Sequence, residues 1–349
     1  MQRVLVTGGN GFIGYHVCKQ LVKDKYDVYS FDNNSHWIHP SKSLYPGYFK
    51  KRMDWMKDNV KIFMGNTSDE QKVMEVLREI KPHYVIHLAA LAVADVSNKY
   101  PHEARTSILQ GTHTMLEGIR RLRETDPDFD FKRFTYTSSS MVYGDFKEDK
   151  NGNLIPAKEE NMLDPKKSFY ASFKVMGELI TQNYGQLFDI PFTIIRPSAV
   201  YGPTDVNRRV SEIFVNNALT GKKLLLHNEG KTLLDFTYVK DTANGFILAT
   251  TSEKGKNQIF NITAGNARSL EEFAAVLKKL IPKLEVEKVK ITDTYRPRRG
   301  TLDISKAKKL LGYKPAYDIE KGLEEYVEYV VNAGVLPGIL PEIKKKFTE

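Results

Sequence analysis

Strand-like and helix-like segments alternate through the first 200 residues of this 349-residue chain. The strand-like runs are short and apolar, and each helical segment separates one run from the next. Strands joined through helices run parallel, because each helix carries the chain back to the same end of the sheet. The sequence therefore predicts an α/β fold with a doubly wound parallel sheet. The predicted strands are residues 4–6, 28–31, 60–64, 84–87, 131–137 and 192–195, with helices over 12–23, 68–80, 101–123 and 168–188.

Composition limits the class of protein. Hydrophobic residues make up 41% and charged residues 27%, which is typical of a soluble globular chain. No uncharged apolar stretch is long enough to span a bilayer and no signal peptide is visible, so we predict a cytoplasmic protein without a membrane partner. Cys18 is the single cysteine, which excludes an intrachain disulfide and a thiolate metal site, and we predict no bound metal.

The net charge of +9 favours acidic ligands, either nucleic acid or a metabolite that carries a diphosphate. The lysines are dispersed along the chain, which is typical of solvated helix faces and loops. No zinc-finger spacing, basic zipper or aromatic RNA-binding motif is present, so we predict no nucleic-acid partner.

A glycine-rich turn follows the first strand and opens the first helix. Gly8, Gly11 and Gly14 have the spacing GxxGxxG, and Phe12 and Ile13 lie between the last two glycines. Such a turn lets the backbone approach a pyrophosphate closely, while the helix N-terminus offers free N–H groups to the phosphates. Because the glycines stand between a strand and a helix, the pattern predicts a dinucleotide site in a Rossmann domain.

Asp32 ends the second strand, 18 residues after Gly14. A carboxylate at this position can accept hydrogen bonds from the adenosine ribose hydroxyls and would repel a 2′-phosphate. No arginine lies between Asp32 and Lys51, so nothing in that stretch would neutralise such a phosphate. The predicted cofactor is NAD rather than NADP.

A tyrosine and a lysine four residues apart, Tyr170 and Lys174, share one face of a predicted helix. We expect the lysine ammonium and the positive ring of the cofactor to lower the pKa of the phenol, so that it can take a proton from a sugar hydroxyl. A serine run, residues 138–140, stands at the carboxyl end of the fifth strand, where ligands bind in such sheets. A serine hydroxyl there could share the hydrogen bond of the substrate.

Together these motifs resemble the NAD-dependent epimerase/dehydratase family of extended short-chain dehydrogenases/reductases. The resemblance extends from residue 4 to about residue 313. The matching motifs are TGxxGFIG (Thr7–Gly14), HLAA (His87–Ala90), SSxxVYG (Ser138–Gly144), YxxxK (Tyr170–Lys174), RxxxVYGP (Arg196–Pro203), DFTYVxD (Asp235–Asp241) and DISKAKxLLGY (Asp303–Tyr313).

The resemblance implies a role for each matching residue. Tyr170 would be the catalytic acid and base, Lys174 its partner and a ligand of the nicotinamide ribose, and Ser139 the assisting hydroxyl. Asn66, where the family usually has aspartate, could pair with the adenine. The HLAA segment would add Leu88, Ala89 and Ala90 to the cofactor site. The implied partners are NAD, a nucleotide-diphosphate sugar and a second copy of the chain, bound through helices 101–123 and 168–188.

Residues 1–196 are predicted to form the Rossmann domain. Residues 197–349 would form a smaller mixed α/β region that binds substrate, with about 235–262 returning to the Rossmann sheet. Helices are expected over 210–219, 242–250, 269–280 and 323–331, and a strand over 235–239. Residues 32–59 are predicted as a long polar, aromatic-rich connection, either functional or a structural excursion.

The chain departs from the family at positions near the substrate diphosphate. Ala199, Leu234 and Ile108 replace an asparagine, an arginine and an asparagine. Substitute ligands could come from the arginines at 208, 209, 296, 298 and 299, and we predict Arg209 or Arg298, together with Ser140, in substrate binding.

Three functions fit these residues. The first is epimerisation through a transient keto-sugar, with oxidation and re-reduction at C4. The second is net oxidation or reduction by a 4-dehydrogenase or ketoreductase, and the third a non-catalytic dinucleotide sensor. Family members that eliminate water carry aspartate and glutamate where this chain has Ser140 and Met141, and decarboxylating members keep that glutamate. The sequence therefore predicts an epimerase without dehydration or decarboxylation.

Overall fold

The computed structural model describes residues 1–36, 45–165, 167–291 and 296–348. Its strands are β1 (Arg3–Thr7), β2 (Asp27–Asp32), β3 (Lys61–Met64), β4 (Tyr84–His87), β5 (Arg133–Thr137), β6 (Phe192–Pro197), β7 (Val200–Tyr201), β8 (Leu224–Leu226), β9 (Leu233–Leu234), β10 (Thr237–Tyr238), β11 (Gln258–Ile262), β12 (Arg268–Ser269) and β13 (Val286–Lys288).

The α-helices cover both faces of the sheet and build most of the C-terminal region. They are α1 (Phe12–Lys23), α2 (Tyr45–Asn59), α3 (Glu70–Ile80), α4 (Ala94–Lys99), α5 (Pro101–Ala104), α6 (Gly111–Thr125), α7 (Phe169–Phe188), α8 (Val210–Leu219), α9 (Val239–Thr251), α10 (Leu270–Leu280), α11 (Ser305–Leu311), α12 (Ile319–Ala333) and α13 (Pro341–Thr348).

The central sheet confirms the predicted fold class. Within the described ranges it has seven strands in the order β11-β6-β5-β4-β1-β2-β3, and every pairing in it is parallel. The order reverses direction between β1 and β4, which makes this the point where the carboxyl ends of the strands open a crevice for a ligand. The six strands predicted in the first 200 residues all lie in this sheet.

Two apolar cores pack on opposite faces of the sheet, and a third fills the C-terminal region. The first contains α1, α9 and α11, and the second contains α3 and α6. The third joins α8, α10 and α12 around Phe273, which is completely buried. α10 begins with the predicted capping box, in which Ser269 accepts the Glu272 N–H at 3.1 Å and Glu272 accepts the Ser269 N–H.

Three predictions from sequence were wrong in detail. Residues 32–59 contain helix α2 rather than a continuous connection, and residues 37–44 lie outside the described part of the chain. The predicted helix 101–123 is interrupted by a π-helical turn over Arg105–Gln110. The strand expected at 235–239 shortens to β10, which pairs with β7.

Tertiary contacts explain helix α2, whose sequence has little helical periodicity. Trp55 packs edge-on against Tyr15 of α1 at 5.7 Å, and Tyr48 stacks on Tyr329 of α12 at 6.4 Å. These aromatic contacts join α2 to both the Rossmann sheet region and the C-terminal region, and such burial outweighs weak local propensity.

After α8 the chain returns to the central sheet. α9 packs on α1 and β11 adds parallel to β6, with Phe260 and Ile262 buried. Residues 239–262 thus contribute to the sheet layer, while the division into two domains stays a prediction. In the described part of the chain, no helix is both long and apolar enough to cross a membrane.

Candidate active site

The glycine-rich turn packs tightly against the end of β4. Gly8 has a φ of +70°, and a Cβ there would lie 2.8 Å from the Ala89 nitrogen. A Cβ on Gly14 would lie 2.1 Å from the Gly8 oxygen, so neither position tolerates a side chain without movement. Because Gly11 caps α1 without a side chain, the first N–H groups of the helix open into the cleft, as a pyrophosphate requires.

Asp32 sits beside this turn with its carboxylate held by backbone N–H groups. Asn10 donates to one oxygen at 3.0 Å and Asn34 to the other at 2.7 Å. Burial raises the pKa of Asp32, while those N–H groups and the charge of Arg52 lower it. Arg52 of α2 lines the same cleft, and it directly follows the arginine-free stretch between Asp32 and Lys51.

One cleft of about 580 Å³ brings the predicted cofactor and catalytic residues together. It runs along the carboxyl ends of the strands, from the glycine turn to the loop before α8. Its lining includes Gly8, Gly11, Phe12, Ile13, Gly14, Asp32, Asn66, Leu88, Ala89, Ala90, Ser139, Ser140, Tyr170, Lys174 and Arg209. The size suits a dinucleotide together with part of a second ligand.

The catalytic candidates come from two elements. Ser139 precedes a 3₁₀ turn after β5 and accepts the Met141 N–H at 3.2 Å, while Ser168 caps α7 by accepting the Ala171 N–H at 3.2 Å. This places Tyr170 in the first turn of α7, close enough to the Ser139 hydroxyl for that group to lower the pKa of the phenol. A hydroxyl beside a phenol is the arrangement that general acid–base transfer needs.

The pKa of Tyr170 is raised from its ordinary value. Burial disfavours the phenolate most strongly, while the nearby Ser139 hydroxyl and the charges of Arg209 and Arg299 favour it. Lys174 is not among the groups that lower the pKa of Tyr170. The arginines that supply this effect are distant in sequence, and no local pattern pairs them with the tyrosine.

Lys174 is buried one turn after Tyr170. Its ammonium lies 5.8 Å from the centre of the Tyr170 ring and donates to the Thr137 carbonyl oxygen at 2.6 Å. Burial lowers the pKa of Lys174 to about 7, although the Glu178 carboxylate opposes this change. The ammonium therefore points to the end of β5, next to the serine run.

A buried ion pair, absent from the sequence-based predictions, supports this region. The Arg196 guanidinium donates to both carboxylate oxygens of Glu178 at 2.9 and 2.7 Å, and Ser138 also hydrogen-bonds Glu178. Arg196 further donates to the Tyr143 hydroxyl at 2.9 Å. The network joins α7, β5 and β6 behind Ser139, so it holds the catalytic candidates in register.

The arginines predicted to bind a diphosphate differ in position. Arg209 lines the cleft as the N-cap residue of α8, 3.6 Å from the Asp205 carboxylate. Arg298 does not line it, since its side chain is exposed and paired with Glu148. Arg299 lines the cleft instead.

The two positions that carry acids in dehydratases face the cleft without an acid. Ser140 donates to the Ser198 hydroxyl at 3.1 Å and accepts from Arg299 at 3.2 Å, and the Met141 side chain is buried. Asp95 lines the cleft but pairs with Arg296 at 2.6 Å. Asp145 accepts the Arg298 N–H at 2.6 Å, away from the cleft.

A parallel sheet with a glycine turn, an acidic residue ending β2 and a serine–tyrosine–lysine group defines an NAD-dependent oxidoreductase-type fold of the extended short-chain class. A family model described as GDP-mannose 4,6 dehydratase matches residues 5–326. The chain belongs to this family, within the NAD-dependent epimerases and dehydratases, as its motifs predicted.

Relatives along the full chain include epimerases and dehydratases. An uncharacterized protein of Methanocaldococcus jannaschii is 30% identical, over 94% of this chain and 96% of that protein. The dTDP-glucose 4,6-dehydratase of Salmonella typhimurium is 26% identical, over 94% and 92%. The UDP-glucuronic acid 4-epimerase of Bacillus cereus, solved with UDP-glucuronic acid and NAD, is 25% identical with a TM-score of 0.82, over 95% of this chain and 99% of that chain. These relatives establish an enzyme family that includes both epimerases and dehydratases.

Proposed function

We propose that this chain is an NAD-dependent nucleotide-sugar 4-epimerase that acts through a transient keto-sugar. The observation that carries the proposal is that the proton-transfer residues are present in the cleft while the two positions that carry the elimination acids in dehydratases have none. Ser139 and Tyr170 lie together in the cleft, whereas Ser140 and Met141 occupy the positions of the dehydratase acids. A serine is too weak an acid to protonate a departing hydroxyl, and a thioether transfers no proton.

NAD, when bound at the glycine turn, supplies the oxidation and the return reduction of the sugar carbon. Tyr170 takes the proton of the C4 hydroxyl as that carbon is oxidised and returns it when the carbon is reduced on the opposite face. Ser139 holds the reacting oxygen by a hydrogen bond, and Arg209 and Arg299 favour the phenolate that accepts the proton. Lys174, whose ammonium lies at the end of β5, would hold the nicotinamide ribose.

The diphosphate of the substrate would bind near Arg209. This guanidinium lies at the start of α8, where free helix N–H groups add to its positive charge. Its contact with Asp205 is 3.6 Å and its hydrogen bond to the Ala92 carbonyl is long, at 3.5 Å, so donors are available to an incoming anion. Arg298 stays a predicted ligand of the diphosphate, but its pairing with Glu148 does not support that role.

The test is a panel of UDP-, GDP-, CDP- and dTDP-linked hexoses and hexuronic acids, incubated with the NAD-loaded protein. We expect a product of unchanged mass whose NMR couplings show inversion at C4. A product lighter by water or carbon dioxide would contradict the proposal, and one lighter by two hydrogens would favour net dehydrogenation. Tyr170→Phe is the control, in which conversion should be slower by about 10²–10⁴-fold.

A homodimer through α7 and the helices of residues 101–125 is part of the proposal. α7 exposes apolar side chains on its outer face, namely Phe169, Met176, Leu179, Leu187 and Phe188. A row of exposed apolar residues on one helix is typical of a subunit interface. Light scattering of the purified protein should give twice the mass of the chain, and Leu179→Glu should shift it toward the monomer.

A further inference from the structure

Two other arginines of the cleft have a carboxylate partner, and Arg299 has none among the described residues. Arg209 has Asp205 at 3.6 Å and Arg296 has Asp95 at 2.6 Å. The one polar partner of Arg299 among the described residues is the Ser140 hydroxyl, at 3.2 Å, and its buried Nε makes no hydrogen bond with them. A half-buried cation that has no carboxylate partner among the described residues, and whose Nε makes no hydrogen bond with them, favours an anionic ligand.

The guanidinium remains charged at neutral pH. Burial and the nearby charge of Arg296 lower the pKa of Arg299, but only to about 10. The positive charge is therefore permanent, and it is close enough to Tyr170 to favour the phenolate. A fixed cation set into a cleft attracts an anion more strongly than one fully exposed on the surface.

The position of Arg299 places that anion beside the reacting carbon. Its partner Ser140 follows Ser139, which lies close enough to Tyr170 to lower the pKa of the phenol. A C4 hydroxyl that reaches Tyr170 brings the substituent on C5 to the neighbouring residues. In a hexuronic acid this substituent is a carboxylate, which matches the two parallel N–H groups of a guanidinium.

The backbone around Arg299 is held before any ligand binds. The Phe146 N–H donates to the Arg298 carbonyl at 2.9 Å, and the Leu302 N–H donates to the buried Asp235 carboxylate at 3.0 Å. A Cβ on Gly300 would lie 3.2 Å from Leu154. The hairpin of residues 145–157 thus fixes the segment that carries Arg299, which reduces the entropy lost on binding.

We propose that Arg299 binds the sugar carboxylate and makes this chain selective for nucleotide-linked hexuronic acids over neutral hexoses. The inference rests on the proposed function, because it assumes that the sugar lies with C4 at Tyr170. It assigns the diphosphate to Arg209 and the sugar substituent to Arg299, two arginines at separate places in the cleft.

The test measures binding of UDP-glucuronic acid and UDP-glucose to the NAD-loaded Tyr170→Phe protein by calorimetry. We expect the uronate to bind about 10- to 150-fold more tightly, the factor typical of a charged hydrogen bond. Arg299→Met should remove this preference by weakening the uronate alone, whereas Arg299→Lys should keep part of it. Arg209→Met should weaken both sugars alike, and the remote Arg78→Met should change neither.

Equal weakening of both sugars by Arg299→Met would make Arg299 a diphosphate ligand and overturn the inference. Equal affinities in the parent protein, or no binding of either UDP-sugar, would overturn it as well. In each of these cases the proposed epimerase function would still hold if the nucleotide-sugar panel showed epimerisation of a neutral hexose. NAD affinity and melting temperature of the Arg299 variants serve as controls for folding.

Discussion

Glu212 makes the stability of this protein depend on pH in a direction opposite to that of an ordinary salt-bridged acid. The side chain is buried in α8, where it accepts the Arg208 N–H at 2.5 Å and the Asn216 amide at 3.2 Å. Burial, together with the charge of Asp205, raises the pKa of Glu212 from 4.5 to about 8. The folded protein therefore holds this proton at a pH where the unfolded chain has lost it.

The sign and size of the effect follow from proton linkage. Between pH 4.5 and 8 the folded state binds more protons than the unfolded state, so the free energy of unfolding falls as pH rises. The two pKa values differ by about 3.5, and each unit corresponds to about 1.4 kcal/mol, which sets an upper limit of about 5 kcal/mol. Glu212→Gln removes the titration and keeps an oxygen that can accept the Arg208 N–H.

The assay is urea unfolding at pH 5 and pH 8 at constant ionic strength. The wild-type protein should lose about 2–3.5 kcal/mol more than Glu212→Gln between these pH values. Glu328→Gln, which changes an exposed glutamate of α12, should behave as wild type. A difference between wild type and Glu212→Gln below about 0.5 kcal/mol would refute the reasoning, since it would mean that the carboxyl titrates as in the unfolded chain.

Three further predictions concern the cleft. Tyr170→Phe should leave NAD affinity nearly unchanged and reduce turnover by about 10²–10⁴-fold, because it removes the acid–base group; near-normal turnover would exclude that role. Lys174→Ala should weaken NAD binding by about 10- to 150-fold in a fluorescence titration, the factor of a charged hydrogen bond, and unchanged affinity would contradict the ribose contact. NAD should bind more tightly than NADP, and Asp32→Asn should reduce the difference between the two dissociation constants. Tighter binding of NADP by the wild-type protein would contradict the role of Asp32 in cofactor choice. The charge of Arg52 partly offsets the repulsion between Asp32 and a 2′-phosphate.

Much of the fold could be predicted from local sequence patterns. Helices α1 and α8 begin and end at the predicted residues, and the six strands predicted in the first 200 residues join the parallel sheet. These features depend on side-chain periodicity and on caps such as Ser269, which act between residues a few positions apart. Helix α2 was missed because its stability comes from aromatic contacts with Tyr15 and Tyr329, far away in sequence.

The candidate site also contains residues that local motifs predicted and residues whose position only the structure revealed. The sequence by itself determined the glycine turn, Asp32 and the serine, tyrosine and lysine group, because each lies in a motif whose spacing carries its geometry. Only the tertiary structure decided that Arg299 faces the cleft and Arg298 does not. In an irregular segment the direction of a side chain depends on long-range hydrogen bonds, here those from Phe146 to the Arg298 carbonyl and from Arg298 to Asp145. No short-range pattern encodes such a contact.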